Sequence, residues 1–299
     1  MIIKATLAKG YQIQNIQEKL IELLSGSKTG LSGIEIAQKL KINRATMAKY
    51  LNVIAAEGII KQKNIGNANL WFIESGTEKL EFPADYFRVK EKFFEYLIAN
   101  QHQQAQSLIR NSFHSGADIQ TLISEVVLPA IASLDDLCLK AKIGTSEAKM
   151  LRGIISNSIQ ILAAQKEPDQ KRNVILLSAD SSSLLYSQAA SSSLAAKGWQ
   201  VWQVGDVSDA IDVLYDLDLQ KFITKIWKQK QGVMIVAIFS GSEEGTKFFS
   251  ESANSIKPKF GKHLHIAVHS RSQKQATKAE FTSDKFESVI QWIESVSGV

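Results

Sequence analysis

Apolar and polar positions change their period along the 299 residues, and three segments follow from it. The first, over residues 11–75, reads as three helices and a hairpin. Ile16, Leu20, Leu23 and Leu24 recur at helical spacing and set the inward face of a first helix. Ile34, Ala37 and Leu40 do the same for a second helix. Ser32 opens it, three residues before Glu35, the spacing of a reciprocal capping box. Lys41-Ile42-Asn43 reads as a tight turn, and Asn43 is placed to cap a third helix with Met47, Leu51 and Ile54 inward. Gly58 is placed to end that helix. Ile59 to Lys63 and Asn69 to Ile73 then read as short strands around a turn at residues 64–67.

The second segment is helical throughout. Tyr86–Asn100, Gln104–His114, Ile119–Leu139 and Ser146–Ala164 each carry apolar residues three and four apart, and Pro129 predicts a kink or break in the third. From residue 172 onward, apolar strands alternate with amphipathic helices. The strands are Val174–Ser178, Trp199–Val204, Val233–Phe239 and Leu264–Val268, with a fifth near Ala279–Thr282. The helices are Leu184–Ala196, Leu219–Lys230, Phe248–Ile256 and Phe286–Val296. Such alternation predicts a doubly wound, flavodoxin-like parallel sheet, which binds ligands at the carboxyl ends of its strands. A polar stretch at 76–83 and a charged one at 166–172 mark the boundaries. Three domains are expected: an α+β unit at 1–80, an all-α bundle at 81–168 and an α/β unit at 169–299.

Charge sharpens this division. The chain carries 35 Lys and Arg against 30 Asp and Glu, a net +5. Residues 1–80 hold 11 cationic against 6 anionic side chains, so the whole surplus sits in the first quarter and points to a polyanion. A hydrophobic share of 44% with 22% charged residues excludes a disordered chain. The longest uncharged apolar run, Val233 to Ser240, is far short of the roughly 20 residues that cross a bilayer. No apolar stretch of signal-peptide length opens the chain, and Cys138 alone makes no intrachain disulfide. A cytoplasmic protein without a membrane partner or zinc site is expected.

The stretch LSGIEIAQKLKINRATMAKYLNVIAAEGIIKQKNIGNANLWFI resembles the winged helix-turn-helix family of transcription regulators. The resemblance implies that the third helix enters the major groove of double-stranded DNA. Arg44, Ala45, Thr46, Lys49 and Tyr50 would then reach base edges, and Lys61, Lys63 and Asn64 on the wing would meet phosphate or the minor groove. It also implies a homodimer or higher homo-oligomer matched to paired half-sites. A winged helix that binds protein instead is the alternative.

The helical segment from Ala99 to Leu151 resembles the cap that precedes the cobalamin-binding domain of corrinoid proteins and cobalamin-dependent light-sensing repressors. The stretch VILLSADSSSLLYSQAASSSLAAKGWQVWQVGDVSDAIDV resembles that domain itself. The family carries an Asp-x-His-x-x-Gly motif after its first strand, whose histidine ligates cobalt. Asp180 matches the aspartate, whereas Ser182 stands at the histidine and Leu185 at the glycine. The cap's tryptophan falls near Cys138, its Glu-His pair near Ala148 and Lys149, and the later glycine pair at His269 and Ser270. A serine hydroxyl is a poor cobalt ligand beside imidazole, so histidine-ligated cobalamin is not expected. Cobalamin ligated otherwise, or another planar cofactor such as haem, stays open. Asp180, Ser182, Leu185, Ser240 and His269 are the candidate ligand-binding residues.

Other chemistries find no support. The third strand ends Phe239-Ser240-Gly241 without the aspartate that phosphotransfer needs, and residues 241–245 lack the Gly-Lys-Ser/Thr ending of a P-loop. His263 and His265 alternate along the expected fourth strand and would share a face. No nucleophile–base pair can be assembled, so no enzyme and no metal site are expected. The sequence thus reads as a DNA-binding transcription regulator whose corrinoid-type domain serves for oligomerisation and sensing. The alternatives are a corrinoid methyl-carrier or methyltransferase-associated protein, and a protein-interaction adaptor.

Overall fold

The computed structural model describes residues 13–27, 30–56, 59–65, 68–73, 80–162, 167–212, 214–227, 231–271 and 277–296. The expected cap at Gly58, half of the hairpin turn (66–67) and half of the 76–83 boundary (76–79) lie outside the described residues. Two compact units divide the chain, 1–118 and 119–299, so the helices expected between 81 and 168 are shared between them.

The first unit opens with α1 (Ile13–Ser25), β1 (Leu31–Ser32), α2 (Gly33–Lys39) and α3 (Arg44–Ala56), followed by β2 (Ile60–Ile65) and β3 (Ala68–Ile73). The strands form an antiparallel sheet in the order β1-β3-β2. Both expected caps form. Glu35 N–H donates to Ser32 Oγ at 3.3 Å while Ser32 N–H donates to the Glu35 carboxylate at 2.7 Å. Ala45 N–H donates to Asn43 Oδ1 at 2.9 Å, which starts α3 directly after Lys41 turns the chain at φ 55°. Ile16, Leu20, Leu24, Ile36, Met47, Leu51, Ile54 and Trp71 bury together. Ile34 departs from expectation at 44% exposure, because at the open end of so short a helix it faces a groove rather than the core. α4 (Tyr86–Ile98) then packs on α5 (His102–His114), with Val89, Phe93 and Leu97 inward.

The second unit begins with α6 (Ile119–Leu122), a π-helical turn at Ile123–Val127 and α7 (Leu128–Leu139). The break predicted at Pro129 is this turn. A proline ring clashes with the carbonyl four residues back, and widening the preceding turn relieves that clash. α8 (Thr145–Ile161) leads to β4 (Asp169–Ser178), α9 (Leu184–Ala196), β5 (Trp199–Asp206), α10 (Tyr215–Ile226) and β6 (Val233–Ser240). α11 (Glu243–Phe260), β7 (Leu264–Ser270), β8 (Phe281–Ser283) and α12 (Phe286–Val296) complete the chain. The five strands are parallel in the order β5-β4-β6-β7-β8, the doubly wound arrangement of a flavodoxin-like sheet.

Burial explains that order. β6 is buried on both faces from Met234 to Ser240, and β4 from Val174 to Ser178, as an unbroken apolar run requires. β5 is half exposed and takes an edge. α9 is built of small residues: Ser187, Ala189, Ala190 and Ser193 are buried, which brings it close to the sheet, while Ser192 reaches α8 through the Ile159 carbonyl. α10 begins four residues before the expected helix, after a turn in which Asp212 accepts from Leu214 N–H at 3.0 Å.

Gly232 turns the chain into β6 at φ 70°, and a Cβ there would lie 1.9 Å from the Lys171 carbonyl oxygen of β4. A Gly232→Ala variant is therefore expected to lose more than about 1 kcal/mol. A lower midpoint in chemical denaturation checks it.

Candidate functional site

Two regions carry the candidate residues, one in each unit. In the first unit, Arg44, Ala45 and Lys49 are exposed on α3 and Thr46 is half-buried. Tyr50 is a correction: at 3% exposure it packs into the core, because it lies one helical turn beyond Met47 on the same inward face. Lys61, Lys63 and Asn64 are exposed on β2. Side chains alternate along a strand, so Lys61 and Lys63 share one face, with Lys63 Nζ 5.6 Å from the Phe72 ring centroid. Gln62 lies on the other face, opposite Trp71. There a groove of about 490 Å³ brings Gln62 and Asn69 together with Arg44, Ala48 and Asn52 of α3 and with Ser32. The hairpin lysines are therefore not part of the surface that Arg44 lines. The amides of Asn52, Gln62 and Asn69 carried no local signal, since only pairing of α3 with the hairpin assembles them.

In the second unit the carboxyl ends of β4, β6 and β7 meet at one edge. A ligand crevice in this kind of sheet lies where strand order reverses, here between the loops after β4 and β6. Asp180, after β4, holds that point. Its Oδ2 accepts from Gly241 N–H, after β6, at 2.6 Å. Its Oδ1 accepts from Ser182 Oγ, and from Ser183 N–H and Oγ at 2.9 Å each. Burial alone would raise its pKa, but the bonds from Ser182, Gly241 and Ser183 and the charge of Arg271 hold the carboxyl below its ordinary value.

Ser182 Oγ accepts in turn from Arg271 Nη2 at 2.6 Å. Arg271, just past β7, also donates through Nη1 to Asp135 Oδ2 of α7 at 2.8 Å. Arg152 of α8 binds the other oxygen of Asp135 and donates to the Ser182 carbonyl at 3.4 Å. The Arg271 guanidinium lies 4.8 Å over the Tyr186 ring. The sequence singled out neither arginine nor Asp135. Arg271 had a positional signal as a cation ending a strand of a doubly wound sheet, whereas Asp135 and Arg152 sit on separate helices and had none.

The remaining candidates are buried, and His269 Nδ1 is left without a hydrogen-bond partner among the described residues. Ser240 is fully buried and bonds Ser242 in the turn that starts α11, donating to its carbonyl at 2.8 Å. Leu185 is buried in α9. His269 is buried among Tyr186, Phe239 and Phe286, its ring centroid 5.3 Å, 5.5 Å and 6.2 Å from theirs. Burial, with the charge of Arg271, lowers its pKa from 6.5 to about 4, so it is a neutral core residue at pH 7. His263 falls in the turn before β7 rather than on the strand, and His265 Nδ1 pairs with Glu280 at 2.7 Å. Among the described residues no three His, Cys, Asp or Glu converge as metal ligands, and no helix is long and apolar enough to cross a membrane.

The residues at this edge do not fit a histidine-ligated corrin. The hydroxyl standing for the imidazole is committed to Asp180 and Arg271. A Cβ on Gly241 would come within 2.9 Å of both Arg271 Nη2 and Ser182 Oγ, so these groups pack closely against the backbone at the switch point.

No family model and no curated protein matches the sequence. Among solved structures, the monomethylamine corrinoid protein of Methanosarcina barkeri shares the fold. Its TM-score is 0.55 at 14% identity, over 70% of this chain and 98% of that one. Two others overlap more loosely. The methanol:cobalamin methyltransferase complex of the same organism has a TM-score of 0.34 at 12% identity, covering 74% of this chain and 87% of that chain. A cobalamin-binding protein from Desulfitobacterium hafniense has 0.36 at 12% identity, covering 69% and 97%. The first likeness establishes a corrinoid-protein-like, flavodoxin-like fold, and it concerns fold alone.

The depressed pKa of His269 has a sign in stability. The unfolded histidine takes a proton near pH 6.5 and the folded one only near 4. Its neutral burial is therefore tolerated in full above pH 6.5, and stability falls as pH drops towards 4. The slope reaches about 1.4 kcal/mol per pH unit for one proton. His114, also lowered by burial, adds in the same direction, so a His269→Phe variant should reduce this slope without abolishing it in melts from pH 4 to 7.

Proposed function

We propose that this protein is a DNA-binding transcription regulator. Its first unit reads double-stranded DNA as a winged helix, and its second is a non-catalytic body for self-assembly and sensing. The observation that carries the reading is the exposed row Arg44, Ala45 and Lys49 on the capped helix α3, in the quarter of the chain that holds the cationic surplus. The order helix, strand, two helices and antiparallel hairpin supports it. On this reading α3 lies in the major groove, Arg44 faces base edges, and the amides of Asn52 and Gln62 flank it. Lys49, Lys61 and Lys63 neutralise phosphates. A homodimer would match paired half-sites.

A second reading is a corrinoid methyl-carrier or a methyltransferase-associated protein, and the fold shared with the monomethylamine corrinoid protein favours it. Ser182, whose hydroxyl is committed to Asp180 and Arg271, weighs against it. The absorption spectrum of the protein from its own host separates the two: a corrin spectrum supports the carrier, and a colourless protein that shifts a duplex supports the regulator.

The salt dependence of binding tests the DNA face. With full-length protein and a mixed-sequence duplex, log K should fall linearly with log salt. Replacing Lys49, Lys61 and Lys63 by Gln should flatten the slope by about 0.9 for each phosphate no longer neutralised. An unchanged slope removes those side chains from the interface. No salt-sensitive affinity in the parent protein removes DNA altogether and leaves a protein-interaction adaptor.

A further inference from the structure

We propose that the ligand crevice of the second unit is closed by an internal latch. Asp180, Ser182, Arg271, Asp135 and Arg152 occupy the place where a sheet of this topology receives a cofactor, and they tie α7 and α8 to the sheet edge. The inference does not rest on DNA binding.

The latch is continuous. It starts at Gly241, crosses the switch point through Asp180 to Ser182, passes to Arg271 and leaves the sheet for Asp135 on α7. Arg152 closes the ring by joining Asp135 to the Ser182 carbonyl. One polar chain therefore links the ends of β4, β6 and β7 to two helices. Asp135 bridges two guanidiniums, one through each oxygen, the role an anionic ligand would play in an open crevice.

Its formal charges balance without a guest, and the polar atom left over is the buried Arg271 Nε, which has no hydrogen-bond partner among the described residues. Two carboxylates face two guanidiniums, so no charge is left over to recruit an anion or a cation. The side chains of Asp135, Arg152 and Arg271 are 19–24% exposed, enough shielding for each to need its partners. Admitting a planar cofactor would strand them. It would also displace Ser182, which packs within reach of a Cβ on Gly241. The helices are thus held to the sheet edge by the chain's own side chains.

The test has two arms, both on the full-length protein. In the first, hydroxocobalamin is added and free corrin is removed by gel filtration. The expected result is no retained corrin absorbance, and about one retained equivalent overturns the proposal. In the second, Asp135→Ala, Arg271→Ala and the double variant are melted. Each single change is expected to lower Tm by about 5 °C, and the double by about as much as one single, since the two side chains act as one unit. Shifts that simply add, or no shift, overturn the latch. Should the alanine variants fail to fold, Asp135→Asn keeps the shape and removes the charge. A Tm lower than wild type and less sensitive to salt supports the latch, and a wild-type melt at every salt concentration overturns it.

Discussion

A carboxylate set at the carboxyl edge of a parallel sheet must be compensated, and the rest of this edge follows from how Asp180 is compensated. It takes four hydrogen bonds, three from the turn after β4 and one across the switch point from Gly241. Turning Ser182 inward to supply one of them leaves its oxygen to accept from Arg271. A guanidinium drawn under the helices needs a counter-charge, and Asp135 provides it with Arg152 alongside. Removing one member of a buried set of this kind typically costs about 3–5 kcal/mol, because it leaves its partner charged and unpaired. Partial exposure of these side chains places them below that figure.

This couples architecture to chemistry in an unusual way. The fold is shared with a corrinoid protein, yet at the switch point Asp180, Ser182 and Arg271 hydrogen-bond one another. Fold and site are separable: the sheet positions three loops, and the residues on those loops decide what happens there. Packing agrees with the hydrogen bonds. His269 packs among aromatic rings and Leu185 is buried in α9.

The first unit works by the opposite logic. Its core is small and apolar, its caps are satisfied locally, and its charged and amide side chains point outward around a groove. Its outward side chains need no buried counter-charge, and Arg44 and Lys49 on α3 are exposed. Burial of Tyr50 removes that side chain from the surface, which runs from Arg44 through Ala48 to Asn52.

Local physics is legible in the sequence. The boundaries of α9 and α12, the Ser32–Glu35 box, the Asn43 cap and the break at Pro129 all depend on residues within a few positions of each other. The two-sided burial of β4 and β6 is equally plain from their unbroken apolar runs. Asp180 and Ser182 stand out because they are neighbours in one turn. Asp135, Arg152 and Arg271 are far apart in the chain, and only the packing of α7 and α8 at the sheet edge brings them to one point. The same holds for Ile34, Tyr50 and the face taken by each hairpin lysine: spacing gives a period, whereas which side of it is inside depends on what packs there.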